Sequence, residues 1–192
     1  MRPALLVLDP QNDFFEAGNS NLAEFERAVL VINTAAALFR EHNCPVVFVQ
    51  HTSARKPPGS HEWGIYEGFD CNPDDARLNK THQNAFEHSG LDLLLSSHDV
   101  TFVVLSGFEL EHCVLASYHE ALGRDYQAAL LGGGIAGRDN ARTDAVVRGC
   151  RMVTLEDLHA LLAGKLSPSC NPCLPALIHV GDRIELEGSA MI

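Results

Sequence analysis

The chain has 192 residues, of which 46% are hydrophobic and 20% are charged, and its net charge at pH 7 is −11. This length and balance predict one soluble globular domain, with no apolar run of membrane-spanning length. The acidic charge and the absence of a basic stripe argue against nucleic acid as a partner. The N-terminus lacks a cleavage-site pattern, and the six scattered cysteines are expected to be reduced thiols in the cytoplasm.

Short apolar runs alternate with amphipathic segments along the first 164 residues. The runs predict strands at 4–8, 45–49, 100–105, 126–131 and 150–154. The amphipathic segments predict helices at 22–36, 82–97, 112–123, 139–149 and 155–163. Strands that alternate with helices and are apolar on successive residues indicate βαβ units. We therefore predict an α/β domain at 1–164, a three-layer αβα sandwich with a five- to six-stranded, mainly parallel sheet.

Residues 165–192 break this alternation with three prolines followed by a stretch of alternating polarity. They predict a C-terminal arm, with a hairpin around Gly181-Asp182. Cys170 and Cys173 form a C-x-x-C pair in this arm, which is half of a zinc site. Because a redox C-x-x-C usually opens a helix after a strand, and the further zinc ligands are missing, we predict neither role for the pair.

Three reactive side chains lie next to the predicted elements. Asp9 ends the first strand, Cys113 follows the strand at 100–105 across a Gly turn, and Lys80 follows a polar loop at 51–77. The carboxyl ends of parallel strands face one crevice, so these residues are expected to meet. A helix N-terminus and a nearby lysine favour a thiolate, and a carboxylate can take and return the thiol proton. Backbone amides of the turn at 108–113 can hold an oxyanion, which completes the requirements for acyl transfer through a thioester.

Three segments around these residues carry a more specific signal: LLVLDPQNDFF, LNKTHQNAF and SGFELEHCVLASYHEAL. Their order and spacing are similar to the motifs D-x-Q-x-D-F, K-x-x-x-[SN]-A-F and G-x-x-x-x-x-C-V. From about residue 4 to residue 163, the chain resembles the isochorismatase-like cysteine hydrolases, which include nicotinamidases and N-carbamoylsarcosine amidohydrolases. A buried structural thiol is the alternative for Cys113, but the three motifs together favour the catalytic interpretation.

The resemblance implies a role for each residue of the triad. Asp9 is expected to act as the base and later as the acid, Lys80 to orient Asp9 and stabilise the anionic sulfur, and Cys113 to act as the nucleophile. The family has a non-proline cis peptide shortly before the cysteine, which falls here at Phe108-Glu109. That bond is expected to aim the backbone amides of Glu109 and Cys113 at the oxyanion.

The resemblance also implies what the enzyme acts on. It predicts cleavage of an amide or carbamoyl C–N bond in a small molecule, without a cofactor, by a homo-oligomer such as a dimer or tetramer. Phe14 and Trp63 fall where family members line the substrate pocket with aromatic rings, and Gln11 and Phe108 are also expected to contact the substrate. The long loop is expected to decide which substrate binds.

The sequence departs from the family at several positions. Leu110 replaces a common threonine, and Gly132-Gly133 replaces a common Asp-Ala. Nicotinamidases bind a metal through an Asp-x-His pair; here His51 is present, but Val49 occupies the Asp position, so we predict no metal site. These departures support a second hypothesis, in which the chain is an inactive family member that serves as a binding or scaffold module.

A third hypothesis comes from the glycine run at 132–137, which fits the G-x-G-x-x-G pattern of dinucleotide-binding proteins. It predicts a nucleotide-dependent oxidoreductase. The run follows a late strand, whereas the dinucleotide fingerprint normally opens the first βαβ unit, so this hypothesis ranks below the other two.

Overall fold

A computed structural model describes residues 1–16, 21–137 and 146–165, together with the backbone of two short strands at 177–180 and 183–186. Six parallel strands form one sheet in the order β3-β2-β1-β4-β5-β6. Their bounds are β1 Pro3–Leu8, β2 Val46–His51, β3 Ala76–Lys80, β4 Phe102–Gly107, β5 Gln127–Ile135 and β6 Met152–Val153.

Helices cover both faces of this sheet. They are α1 (Leu22–Glu41), α2 (Leu91–Ser97), α3 (Leu115–Gly123) and α4 (Leu155–Leu162). Leu5 and Val7 of β1 pack in the layer of α1 and α4, whereas Leu6 and Leu8 pack in the layer of α2 and α3. Because successive side chains of a strand point to opposite faces, a strand between two helical layers must be apolar throughout. The predicted three-layer αβα sandwich is confirmed.

The strand β3 was not predicted, because its sequence ARLNK lies at the end of the polar segment interpreted as a loop. It pairs with β2 at the edge of the sheet, where His51 is the register partner of Lys80. Arg77 and Asn79 are exposed, so the strand carries little of the apolar signal that marks the central strands. The predicted loop therefore ends at residue 75, and Lys80 is the last residue of a strand.

Other bounds differ from the predictions near local breaks in the backbone. The helix predicted at 82–97 begins at Leu91, since His88 and Gly90 both adopt positive φ values, of 52° and 78°. The strand predicted at 150–154 is reduced to Met152–Val153. Most of the helix predicted at 139–149 lies outside the described residues.

Near the C-terminus, β7 (Leu177–Val180) and β8 (Arg183–Leu186) form an antiparallel two-stranded sheet, which confirms the predicted hairpin. Gly181, Asp182, Cys170 and Cys173 lie outside the described residues, and the division into a domain and an arm remains a prediction. Within the described ranges, none of the helices has the length and apolar character needed to cross a membrane.

Candidate active site

The parallel register brings the ends of three strands together. Leu8 of β1 is the partner of Val49 in β2 and of Gly107 in β4, so Asp9 leaves the sheet between those two strands. Asp9 has a φ of 51° and donates its backbone N–H to the Val49 carbonyl at 2.8 Å. This turn directs the Asp9 side chain into the protein, where it is 2% exposed.

A glycine is required where β4 ends. Gly107 has a φ of 106°, and a Cβ atom at this position would lie 2.0 Å from the carbonyl oxygen of Leu8. Only a residue without a side chain fits so close to β1. The backbone therefore turns at Gly107, and the peptide bond one residue further on, Phe108–Glu109, is cis.

The ammonium group of Lys80 occupies the centre of the site. It lies 2.9 Å from Oδ1 of Asp9 as an ion pair, and it donates hydrogen bonds to Oδ2 at 3.2 Å and to Sγ of Cys113 at 3.1 Å. Lys80 is 1% exposed and Cys113 is 8% exposed. A buried ammonium needs charged or polar partners. Asp9 and Cys113, the two residues predicted to lie beside Lys80, supply two of them.

Lys80 has two further partners that the sequence did not indicate. Its ammonium lies 3.2 Å from Nδ1 of His51 and donates to the carbonyl oxygen of His82 at 3.2 Å. Ligand atoms of Asp9, His51 and Cys113 lie within 4.8 Å of one another, a spacing that would suit a metal ion. The ammonium already stands among these three groups, and its positive charge disfavours a second cation there.

Cys113 lies in a single π-helical turn, Leu110–Val114, which leads directly into α3. The turn is defined by the bond from the Val114 N–H to the Glu109 carbonyl at 3.3 Å. Such turns inside helices frequently occur at functional sites. The sequence predicted a helix here but not its altered pitch.

Ser117 anchors this turn from the first residues of α3. Its buried hydroxyl donates to the Cys113 carbonyl at 2.7 Å and accepts the N–H of Ala85 at 2.9 Å. The hydroxyl thus connects the segment after Lys80 to the backbone of Cys113. Sequence reasoning missed this residue, because a serine in a helix has no distinctive pattern.

The environment of Cys113 opposes the thiolate. Burial raises the pKa of the thiol to about 12, and the negative charge of Asp9 adds to this effect, while the Lys80 ammonium acts in the opposite direction. The Lys80 ammonium therefore favours the thiolate, as expected, but burial and Asp9 outweigh its effect on the pKa of Cys113. Burial and Asp9 together favour the protonated thiol over the thiolate.

A cleft of about 490 Å³ opens above the triad. Phe14, Glu109 and His112 line it together with Asp9, His51, Cys113 and side chains of the loop after β2, which are Ser53, Arg55, Lys56 and Glu62. Lys56 pairs with Asp13 at 2.8 Å and lies 5.4 Å from the centroid of the Phe14 ring. Burial raises the pKa of Asp13. The cleft wall is therefore polar and charged around one aromatic surface.

Of the residues expected to contact the substrate, the structure brings Phe14 to the cleft and places three others elsewhere. Gln11 is fully buried, and its side chain bonds to the backbone of His51 and Trp63. Phe108 is fully buried and packs against Phe25, with 4.7 Å between ring centroids. Trp63 lines a separate cavity of about 430 Å³, with Gln50, Tyr66 and Phe69 among its neighbours.

The glycine run does not form a phosphate-binding turn. Gly132, Gly133 and Gly134 lie within β5, and Ile135 still pairs with Gly107 of β4. The dinucleotide fingerprint needs its first glycines in a tight turn between a strand and a helix. The geometry therefore removes the basis for the nucleotide-binding hypothesis.

Comparison with known proteins adds to this geometry. Residues 3–158 match the family model of the isochorismatase domain. The uncharacterised isochorismatase family protein YrdC of Bacillus subtilis (strain 168) is 27% identical over 119 residues, which cover 59% of this chain and 62% of that protein. The probable inactive nicotinamidase At3g16190 of Arabidopsis thaliana is 26% identical over 145 residues, covering 64% of this chain and 74% of that protein.

Solved structures with the same fold include an amidase and an isochorismatase-like hydrolase. The N-carbamoylsarcosine amidase of Thermoplasma acidophilum superposes with a TM-score of 0.71 at 25% identity, covering 81% of this chain and 98% of that one. An isochorismatase-like hydrolase of Alkaliphilus metalliredigens, at 20% identity, shares the fold with a TM-score of 0.75 over 84% of this chain and 99% of that one. With the family model matched over residues 3–158, the chain belongs to the isochorismatase domain family.

Proposed function

We propose that this protein is a cysteine-dependent hydrolase that cleaves an amide or carbamoyl C–N bond of a small molecule through a thioester on Cys113. One observation carries the proposal: the Lys80 ammonium contacts both Asp9 and the Cys113 sulfur, at 2.9 Å and 3.1 Å, beneath an open cleft. The similarity to an N-carbamoylsarcosine amidase supports the choice of a C–N bond.

The first step follows from the protonation state of the thiol. Since burial and Asp9 raise the pKa of Cys113 to about 12, the thiol must lose its proton as the sulfur attacks the carbonyl carbon. Asp9 accepts this proton. A carboxylate oxygen of Asp9 lies within 4.8 Å of the Cys113 sulfur, and the Lys80 ammonium contacts both groups. The positive charge of Lys80 stabilises the sulfur as negative charge develops on it.

The remaining steps return the site to its starting state. The carbonyl oxygen becomes an oxyanion, which we propose is held by the backbone amides of Glu109 and Cys113. The C–N bond breaks as protonated Asp9 gives its proton to the leaving amine or ammonia. Water then attacks the thioester while Asp9 takes one of its protons, and the C–S bond breaks as the sulfur regains a proton from Asp9.

A turnover assay with mass spectrometry tests the proposal. Ammonia release is measured over a panel of primary amides and N-carbamoyl amino acids with the wild type, Cys113→Ala and Asp9→Asn. We expect release by the wild type only, and an acyl adduct on Cys113 after rapid quenching. Ammonia release that persists in Cys113→Ala, or an adduct on another cysteine, would exclude this mechanism.

An inactive family member that acts as a binding or scaffold module is the second candidate. Leu110, where many family members have threonine, is fully buried in the apolar core, and a relative in Arabidopsis thaliana is described as a probable inactive nicotinamidase. This candidate predicts that small amides raise the melting temperature equally in the wild type and in Cys113→Ala, without ammonia release from either.

We also propose a small molecule as the principal partner, a homo-oligomeric state and a reducing compartment such as the cytoplasm. Leu93 on α2 is 79% exposed, and an interface between copies at this position would remove its apolar surface from water. The four cysteines within the described ranges are free thiols, and a catalytic thiol must remain reduced. Light scattering of the purified protein, compared with a Leu93→Glu variant, tests the oligomeric state.

A further inference from the structure

His51 lies beside the triad without belonging to it. It is the last residue of β2 and the register partner of Lys80, and its ring lines the cleft together with Asp9 and Cys113. Sequence reasoning considered this histidine as half of a metal-binding pair and as a residue at the mouth of the pocket. The structure instead places its Nδ1 atom 3.2 Å from the Lys80 ammonium.

This contact determines the tautomer of the ring. A lysine ammonium has only donors, so a ring nitrogen that bonds to it must accept. Nδ1 of His51 is therefore unprotonated, and in a neutral imidazole the proton then resides on Nε2. Nδ1 is occupied by the buried lysine and His51 lines the cleft, so Nε2 is the ring nitrogen that remains for a substrate.

The surroundings of the ring favour its neutral form. Burial is the largest cause that lowers the pKa of His51, and the positive charges of Lys80 and Lys56 lower it further. Asp9 and the His82 carbonyl act in the opposite direction, but with less effect in total. A second proton would have to enter between Nδ1 and the ammonium, where like charges repel.

Gln11 holds the backbone of His51 in place. Its Oε1 accepts the His51 N–H at 2.7 Å, and its Nε2 donates to the His51 carbonyl at 2.9 Å. The same Nε2 donates to the Trp63 carbonyl at 3.1 Å, which connects the loop after β2 to this position. With the backbone held by Gln11 and the ring by Lys80, little freedom remains for the donor at Nε2.

We propose that His51 is a specificity-determining residue whose Nε2–H donates a hydrogen bond to an acceptor atom on the group adjacent to the carbon that Cys113 attacks. This inference rests on the proposed function, since it concerns the substrate of the same site. It assigns the substrate to amides or carbamoyl compounds that carry a further oxygen or nitrogen acceptor on the group adjacent to the reacting carbon, besides the carbonyl oxygen and the nitrogen of the cleaved bond. Plain alkyl amides lack that atom and are expected to be poor substrates.

Two substitutions distinguish the role of Nε2 as a donor from the role of Nδ1 as an acceptor. His51→Gln places an amide N–H close to the former Nε2 position and so retains the donor. His51→Asn places a carbonyl oxygen close to the former Nδ1 position, which retains the acceptor for Lys80 and removes the donor. Both variants keep a polar side chain of moderate size, and thermal unfolding checks that each one folds.

The reagents iodoacetamide and iodomethane replace the unidentified substrate. Both alkylate the sulfur of Cys113, but only iodoacetamide has a carbonyl acceptor beside the attacked carbon. The rate constants for Cys113 are measured by mass spectrometry, and the ratio of the iodoacetamide rate to the iodomethane rate is compared between proteins. The ratio at half-buried Cys44 is the internal reference.

We expect His51→Asn to lower the ratio at Cys113 by about 5- to 20-fold, as for the loss of one hydrogen bond, and His51→Gln to retain most of it. An unchanged ratio in His51→Asn, or a larger loss in His51→Gln, would overturn the proposal. The iodomethane rate by itself reports on the nucleophile, so failure of the inference is distinguishable from failure of the proposed hydrolase.

Nuclear magnetic resonance of protein labelled with ¹⁵N-histidine provides a readout that is independent of reactivity. At neutral pH we expect a protonated Nε2 and an unprotonated Nδ1 for His51, identified by loss of its signals in His51→Gln. A proton on Nδ1 would overturn the inference, because the ring would then present an acceptor instead of a donor to the cleft.

Discussion

The ammonium of Lys80 lies 3.1 Å from the sulfur of Cys113, although the two residues are 33 positions apart and lie at or after the ends of different strands. The contact exists because β3 and β4 both end at the carboxyl edge of the sheet, on either side of β1 and β2. Asp9, at the end of β1, completes the group. One cation therefore serves both the proposed nucleophile and the proposed base.

Replacing Lys80 with methionine is expected to reduce kcat/KM by about 100- to 1,000-fold, because the charge that stabilises the transition state is lost. The buried Asp9 is then left without its cation, which is expected to lower the free energy of unfolding by about 3 to 5 kcal/mol. Ammonia release and urea denaturation measure the two effects.

The double variant Asp9→Asn with Lys80→Met is the matched control for this prediction. It removes both charges, so most of the stability is expected to return while activity stays absent. Equal stability of the single and double variants would show that Lys80 and Asp9 are not energetically coupled.

The pKa of Cys113, raised to about 12 by burial and by Asp9, makes its alkylation strongly pH-dependent. Between about pH 7 and pH 10, the rate with iodoacetamide is expected to rise about tenfold per pH unit without a plateau, since only the thiolate reacts. Asp9→Asn removes a negative charge that raises this pKa, so the variant is expected to react faster at each pH. A plateau below about pH 8.5 in the wild type would contradict the assignment of a resting thiol.

Gln11→Met keeps the approximate shape of the side chain and removes its three hydrogen bonds to His51 and Trp63. Buried backbone groups are then left without partners, and the free energy of unfolding is expected to fall by about 2 to 4 kcal/mol. Urea denaturation measures this loss. Gln83→Met is the control, because Gln83 is an exposed glutamine at the cleft. Similar losses in both variants would mean that Gln11 does not hold the end of β2.

Ser117→Ala removes the hydroxyl that connects Ala85 to Cys113. The N–H of Ala85 loses its buried acceptor, so the free energy of unfolding is expected to fall by about 1 to 3 kcal/mol. Displacement of the Cys113 turn is expected to lower kcat by about tenfold, because small misplacements of a nucleophile are costly. Ser97→Ala is the control, since the Ser97 hydroxyl bonds the Leu94 carbonyl at an exposed position. Unchanged kcat in Ser117→Ala would remove this residue from the positioning of the nucleophile.

Several features of the site were predictable because they follow from local rules. The strands β1, β2 and β4 are apolar on successive residues, which indicates a parallel sheet covered on both faces. Once the sheet is parallel, its carboxyl ends must share an edge, and Asp9 and Cys113 follow two of those ends. The structure places the two residues together for this reason.

Other features depend on contacts between segments that are distant in sequence. β3 is an edge strand with exposed Arg77 and Asn79, so its sequence lacks the apolar pattern that predicts a strand. The strand forms because it pairs with β2. Trp63 lies in a loop, and its position outside the cleft depends on bonds from Gln11 and Gln50 to its backbone. Composition and periodicity carry no information about such bonds.

The sequence by itself determined the αβα architecture, the edge of the sheet where chemistry is expected, and the three residues of the proposed triad. The order of apolar and polar residues indicates which strands are buried on both faces, and such strands are parallel and share one carboxyl edge. The tertiary structure alone decided that burial raises the pKa of Cys113, that Nδ1 of His51 lies against Lys80, and which side chains face the cleft. Desolvation and long-range hydrogen bonds set these properties, and both exist only when the strands have come together.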